Sequence, residues 1–434
     1  MMTKLFTGNY RWFVVSLLFV ATTINYLDRQ LIGLLKPILE TEFAWTETDF
    51  AHIVMAFTAA YAIGLTVSGG IIDRIGTKLG FAAAIIIWSI AGMGHALVRS
   101  VKGFSFVRVM LGFGEAANFP AAAKAVAEWF PKKERAVATG IFNAGPSVGV
   151  VLSLLIVPII LQHFGWREVF WITGGLGFVW LVVWWIFYET PLKQKRLSAA
   201  ELQFIISDQD PSKVQSSGSK FKWQKLFTHS QTWALIAGKG LIDPIFWFFL
   251  FWLPSYFSST FSLDLKKPSL QLMIIYLAAT IGSIGGGYLS SWMIKKGWPI
   301  LKARKTSLLI FACLELSIMF TQFASSEWIA VLLISLAIAV HQAWATNVFT
   351  MASDMFPVEA VSSVVGIAGT AGSIGGILFP ILIGYLLDTY KALGNITAGY
   401  HILFTLCSMA YLVSLCIIHF LTRKSERLSL EQIQ

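Results

Sequence analysis

With 434 residues, 56% of them apolar and only 13% charged, the chain falls far short of the quarter or so of charged residues usual in soluble globular proteins. This excludes a soluble domain and implies an all-α integral membrane protein. A net charge of +10 would ordinarily raise nucleic acid as a partner, but the basic residues lie mostly in loops on one side of the membrane, which accounts for it without one.

Apolar segments long enough to cross a hydrocarbon core of ~30 Å fall near residues 12–38, 50–73, 79–98, 103–128, 136–162 and 168–189. A second six fall near 232–257, 269–293, 304–324, 327–352, 360–388 and 396–422. Twelve spans in two groups predict an N-terminal six-helix bundle over 1–189, a linker over 190–231 and a C-terminal six-helix bundle over 232–434. With both termini on one side, 22 Lys and Arg fall in loops on that side and 7 on the other, which predicts cytoplasmic termini. The first apolar run is long, contains Asp28 and Arg29, and lacks a small-residue cleavage site, so it is expected to stay in the membrane. The linker, with Asp210-Pro211 and Ser216-Ser217-Gly218, reads as a short helix and a flexible tether.

Four basic residues, Arg29, Arg108, Lys124 and Lys239, fall inside predicted spans. Each charge there costs roughly 2.5–3.5 kcal/mol at a helix centre, so each needs an acid, a watery cavity or a substrate. In the first span Asn25-Tyr26-Leu27-Asp28-Arg29 sets an acid beside a base. The second span presents Tyr61 and ends in Gly69-Gly70-Ile71-Ile72-Asp73-Arg74-Ile75-Gly76-Thr77-Lys78, whose small residues permit close helix approach. In the fourth span Arg108 and Glu115 stand seven residues apart, two turns and about 10 Å along the axis. They cannot pair with each other closely, and Asp28 and Arg29 are the nearest candidates. A static charge network that merely fixes helix packing is the competing reading. The seventh span holds Lys239 and Asp243, an i,i+4 couple able to pair on one helix, then Pro244 and the aromatics Phe246, Trp247, Phe248, Phe249 and Trp252. The tenth span contributes His341, Gln342 and Asn347, and His341 could equally be a packing residue.

A duplication is visible. Phe130-Pro131 precedes Gly140-Ile141 as Phe356-Pro357 precedes Gly366-Ile367, with the two copies 226 residues apart. Gly145-Pro146-Ser147-Val148-Gly149 corresponds loosely to Gly372-Ser373-Ile374-Gly375. A parallel repeat of this kind places a substrate site between the halves near the midplane. Cys313, Cys407 and Cys416 lack metal-ligand spacing, and no nucleotide loop or catalytic constellation appears, so no metal, cofactor or enzymatic activity is expected.

The sequence Gly-x-x-x-Asp-Arg-x-Gly-x-Lys, carried by Gly69, Asp73, Arg74, Gly76 and Lys78, resembles the loop signature of the major facilitator superfamily. With Tyr26-Leu27-Asp28-Arg29, Tyr61, Arg108 to Glu115, Glu128-Trp129-Phe130-Pro131, His341-Gln342 and Ser353-Asp354-Met355-Phe356, the chain resembles its anion:cation symporter family, and most of all the bacterial hexuronate transporters. The resemblance implies the major facilitator fold, with twelve transmembrane helices in two pseudo-symmetric six-helix bundles. It implies proton-coupled uptake of a sugar acid anion by a multi-pass protein of the bacterial inner membrane, surrounded by lipid and working as a monomer. Asp28 and Glu115 would handle protons, with Arg108 modulating Glu115. Arg29 would hold the substrate carboxylate, assisted by Tyr26, Tyr61 and Lys239. Asn143, where aldonate relatives have a nearby glutamine, and His341, Gln342 and Asn347 complete the expected site. Desolvation favours a neutral acid, a neighbouring guanidinium favours the carboxylate, and the opposition makes a switch. A carrier or exchanger of another organic anion (an aldonate, a dicarboxylate or an acidic amino acid) is the alternative, with exchange kept open because Gly145-Pro146 resembles an antiporter signature. A non-transporting sensor is a remote one.

Overall fold

A computed structural model describes residues 9–45, 47–207, 223–262, 270–423 and 427–433. Among the described residues all regular structure is helical. Helices α1 (Tyr10–Phe43), α2 (Glu47–Ile75) and α3 (Thr77–Gly94) are followed by α4 (Val101–Ala116), α5 (Asn118–Trp129), α6 (Lys132–Asn143), α7 (Gly145–His163) and α8 (Trp166–Phe187). A short linker helix α9 (Ala199–Ile206) precedes α10 (Ser230–Gly240), α11 (Asp243–Phe261), α12 (Leu270–Lys295) and α13 (Ile300–Glu315). The chain ends with α14 (Glu327–Met355), α15 (Val358–Ala392), α16 (Ile396–Leu421) and a single turn, α17 (Leu430–Ile433).

Ten helical stretches among the described residues are long and apolar enough to cross a membrane. The remaining two expected spans, the fourth and the seventh, are present as the helix pairs α4/α5 and α10/α11. Three helices break, each just before a proline. Pro120 lies in the first turn of α5, Pro146 opens α7, and Pro244 opens α11. A proline has no N–H to give and its ring clashes with the preceding turn. Such breaks persist at membrane depth only where the freed backbone is buried in protein or lines a cavity.

The duplication is structural. Phe130 and Phe356 terminate α5 and α14 in extended conformations (φ −123°, ψ 135° and φ −114°, ψ 155°). Pro131 and Pro357 then start α6 and α15 with nearly identical dihedrals, φ −64°, ψ 152° and φ −66°, ψ 153°. The glycines that follow do equivalent work. A Cβ on Gly140 would collide with the Ser283 carbonyl of α12, and one on Gly366 with the Leu65 carbonyl of α2. Both glycines therefore let a helix of one half lie backbone to backbone against a helix of the other.

The linker helix α9, the start of α1 and the segment just before α17 share one face, the linker face. The Glu201 carboxylate of α9 accepts from the backbone N–H groups of Tyr10 and Arg11 (each 3.1 Å) and from Arg11 Nη1 (3.0 Å). It caps α1 with an anion at the positive dipole end. Near the C-terminus Leu428 N–H donates to the Met355 carbonyl at 2.9 Å. The tether expected over the middle of the linker falls on residues 208–222, outside the described residues.

Cross-half hydrogen bonds cluster between mid-membrane and the linker face. Asp73 accepts from the N–H groups of Ser362 (3.3 Å) and Ser363 (2.7 Å), Arg135 Nη1 donates to the Ser353 carbonyl (2.8 Å), and Thr66 and Thr370 share a 2.7 Å contact. The halves are closed together on that face.

Candidate functional site

A central cavity lies between the halves beside the proline breaks. Tyr26, Arg29, Tyr61, Phe119 and Asn143 line it from the N-terminal half, and Lys239, Asp243, Phe246, His341, Gln342 and Phe349 from the C-terminal half.

Arg29 Nε donates to Glu115 Oε2 at 2.8 Å, and Nη2 makes a longer contact with Asn25 Oδ1 at 3.4 Å. The guanidinium carbon lies 4.4 Å from the ring centroids of both Tyr26 and Tyr61, and 5.2 Å from that of Phe57. Aromatic faces attract a cation electrostatically and leave the N–H groups around its rim for acceptors. The rings of Tyr26 and Tyr61 therefore bound the guanidinium.

Asp28 does not pair with Arg29, because adjacent residues on a helix do not face each other. Its carboxyl faces Thr173 and Arg108, with neither oxygen in hydrogen-bond geometry. Arg108 stands 5.3 Å from the Phe57 ring, its Nε also without a partner. Glu115 is fully buried, and its Oε1 is unpaired. Unpaired buried polar atoms are rare and call for explanation. Here two carboxyls and two guanidiniums form one cluster, with Arg29 in the cavity wall and Asp28, Arg108 and Glu115 behind it, so its net charge follows the number of protons it holds. Glu115 and any carboxylate in the cavity compete for the same guanidinium.

On the opposite wall Lys239 Nζ pairs with Asp243 Oδ2 at 2.8 Å and lies 4.1 Å from the Phe349 ring centroid. Phe349 in turn stacks on Phe119 across the halves (5.3 Å, 7°). His341 stacks on Phe246 (5.2 Å, 15°), and its Nδ1 shares a 2.6 Å hydrogen bond with the Tyr411 hydroxyl. Asn143 Nδ2 donates to Gln342 Oε1 and Ser283 Oγ, each at 3.0 Å.

Asn347 does not join this set. Its amide donates to the carbonyls of Gly286 (3.1 Å) and Ala343 (2.9 Å), pinning α14 to α12 away from the cavity lining. Its position, one helical turn beyond Ala343, turns it towards α12, which a linear reading of polar residues misses.

The loop signature lies at the linker face. Gly69 abuts the Ser362 backbone, Gly76 takes φ +90°, which favours glycine, Arg74 is exposed, and Lys78 pairs with Glu189 at 3.0 Å. Asp73 is held by Lys124 Nζ at 2.9 Å. Phe57, Phe119, Phe349 and Tyr411 were not anticipated, because an aromatic residue in an apolar helix carries no signal of its own.

Two repeats, helices broken beside a central cavity, and ionisable side chains gathered at mid-membrane define a multi-pass transporter rather than an enzyme. A profile of the Major Facilitator Superfamily matches residues 18–380, and the chain belongs to that superfamily. The hexuronate transporter of Escherichia coli K12 is 30% identical over 384 residues, 87% of this chain and 88% of its own. The galacturonate transporter of Dickeya chrysanthemi is 33% identical over 279 residues, 64% of this chain and 81% of its own. Among solved structures, the proton:xylose symporter XylE bound to 6-bromo-6-deoxy-D-glucose superposes with a TM-score of 0.76 at 15% identity, covering 98% of this chain and 99% of that one.

Proposed function

We propose that the chain is a proton-coupled symporter that carries a sugar acid monoanion, of the hexuronate class, into a bacterial cell across the inner membrane. The linker face is cytoplasmic, and a single chain holds the whole path. Residues 1–189 and 232–434 rock about the cavity, with 190–231 as the tether. The observation that carries this reading is Arg29, a cavity-lining guanidinium whose Nε is held by the buried carboxylate of Glu115. The names of the relatives, hexuronate and galacturonate transporters, support the choice of cargo.

With the cytoplasmic face closed, protons reach Asp28 and Glu115 from outside. A protonated Glu115 releases Arg29, which can then grip a carboxylate through parallel charge-assisted hydrogen bonds. Loss of net charge in the site permits the halves to rock. On the inner side deprotonated Glu115 takes Arg29 back and expels the anion. A cation and two carboxyls thus couple two downhill and uphill movements without any covalent step.

The test is uptake of radiolabelled glucuronate and galacturonate by proteoliposomes with an imposed inward proton gradient. Wild type should accumulate one or both. Glu115→Gln should retain counterflow yet lose gradient-driven accumulation, and Arg29→Ala should lose both. Gradient-driven accumulation by Glu115→Gln at the wild-type level would sink the coupling role. Flux that appears only with an anion loaded inside would favour exchange.

A further inference from the structure

We infer that Asp243 selects the charge of the cargo: by occupying Lys239 it makes the cavity a monoanion site and turns away dianions. This rests on the sugar acid reading above and sharpens it. Two cations line the cavity, Arg29 from one half and Lys239 from the other, and each has a carboxylate at 2.8 Å. The two pairs are not equivalent. Glu115 is wholly buried behind Arg29, in a cluster with a second acid and a second guanidinium, so protons can free Arg29 without leaving a negative charge in the cavity. The side chain of Asp243 is 21% exposed and is itself part of the cavity wall.

The C-terminal wall is otherwise a ready anion site. Asp243 is the first residue of α11 and Lys239 lies in the last turn of α10. The Lys239 ammonium therefore reaches the break between the two helices, where the Asp243 carboxylate covers it at 2.8 Å. The fit is built from the neighbouring helix too: a Cβ on Gly372 of α15 would collide with that carboxylate, and one on Gly375 with the Pro244 ring. The cavity wall around the pair also holds Gln342 and Asn143, bonded to each other, His341, tied to Tyr411, and Ser373, while Tyr26 and Tyr411 are within electrostatic reach of Asp243.

A hexuronate has one carboxylate, which Arg29 takes, and its far end is made of hydroxyl groups that a lysine–carboxylate pair can serve as donor and acceptor. An aldarate of the same length carries a second carboxylate at the far end of its carbon chain. With the first on Arg29, the second meets Asp243, and like charges brought together in a cavity repel strongly. Neutralising Asp243 removes the repulsion and uncovers the Lys239 ammonium for the second carboxylate.

Counterflow of labelled glucuronate and glucarate into proteoliposomes tests this. Wild type should carry glucuronate at least about 10-fold faster than glucarate. In Asp243→Asn the glucarate-to-glucuronate ratio should rise at least about 10-fold, and in the double variant Lys239→Gln/Asp243→Asn that gain should vanish. Asp243→Ser carries the same expectation should the asparagine variant not fold. An unchanged ratio in the folded single variant, or wild type that carries both acids equally, overturns the inference while leaving the sugar acid reading intact. Wild type that carries neither acid overturns both.

Discussion

Of the four basic side chains that fall inside spans read from the sequence, three end on a carboxylate: Arg29 on Glu115, Lys124 on Asp73 and Lys239 on Asp243. The carboxylates of the first two pairs are wholly buried, and breaking such a pair by removing a partner costs more than the pair contributes, because a charge is left stranded. Arg29 carries the further burden of shape. Its flat guanidinium is bounded by Tyr26 and Tyr61 at equal distances and offers its N–H groups to one acid at a time. A lysine there would keep the charge and lose both the stacking and the paired hydrogen bonds. Arg29→Lys should therefore raise the KM for counterflow of the proposed cargo, glucuronate, about 10- to 150-fold, from the roughly 1.5–3 kcal/mol of a hydrogen bond to a charged group, while the protein still folds and reconstitutes. A KM within twofold of wild type would show that point charge suffices. The residues in question were legible in the sequence, because a charge in an apolar run must be compensated. Their pairing was not: whether Arg29 meets Asp28 or Glu115 depends on helix phase and on the approach of α4, and Phe57, which both Arg29 and Arg108 contact, looks like any other apolar residue.

At the scale of helices, glycine and proline divide the labour. Prolines open three helices beside the cavity, and glycines bring helices of opposite halves into backbone contact on the linker side. The repeated Phe-Pro turn and its glycine were visible in the sequence as a match 226 residues apart. What each glycine touches was not visible, since α2 against α15 and α6 against α12 are set by the assembly of the two halves. Gly366 offers a clean test. A valine there would push into the Leu65 backbone, an overpacking cost of about 1–3 kcal/mol felt only while the linker face is closed. Gly366→Val should thus favour the open state by roughly 5- to 150-fold. With Cys313, Cys407 and Cys416 replaced and a reporter at Ser353→Cys, maleimide labelling from the linker side should speed up severalfold. Labelling at the parental rate would mean that the two helices separate without needing that contact.

The whole molecule is closed on one face, and a few polar contacts hold it so. Arg304 Nε pairs with Asp354 Oδ2 at 2.9 Å within the C-terminal half, and Arg135 of the other half approaches Asp354 Oδ1 at 3.8 Å. Arg135 also donates to the carbonyls of Phe130 and Ala127 in its own half, so replacing it would damage local structure as well as the closure. Asp73 is the better probe, because its carboxylate, held by Lys124 of its own half, reaches across to the N–H groups of Ser362 and Ser363 near the start of α15. Asp73→Asn keeps the shape but trades charge-assisted acceptors for a neutral amide, and leaves the Lys124 ammonium without its counter-charge. The closed face should lose roughly 1.5–3 kcal/mol, a shift of about 10- to 150-fold towards the open one. Spin labels at Arg74→Cys and Glu359→Cys, on opposite sides of that seam, should then report a longer distance in Asp73→Asn than in the parent. Transport should slow because the state that loads from the far side is depopulated, with glucuronate binding from the linker side retained. Distances that stay at the parental value would mean that the glycine-mediated helix contacts alone keep this face shut.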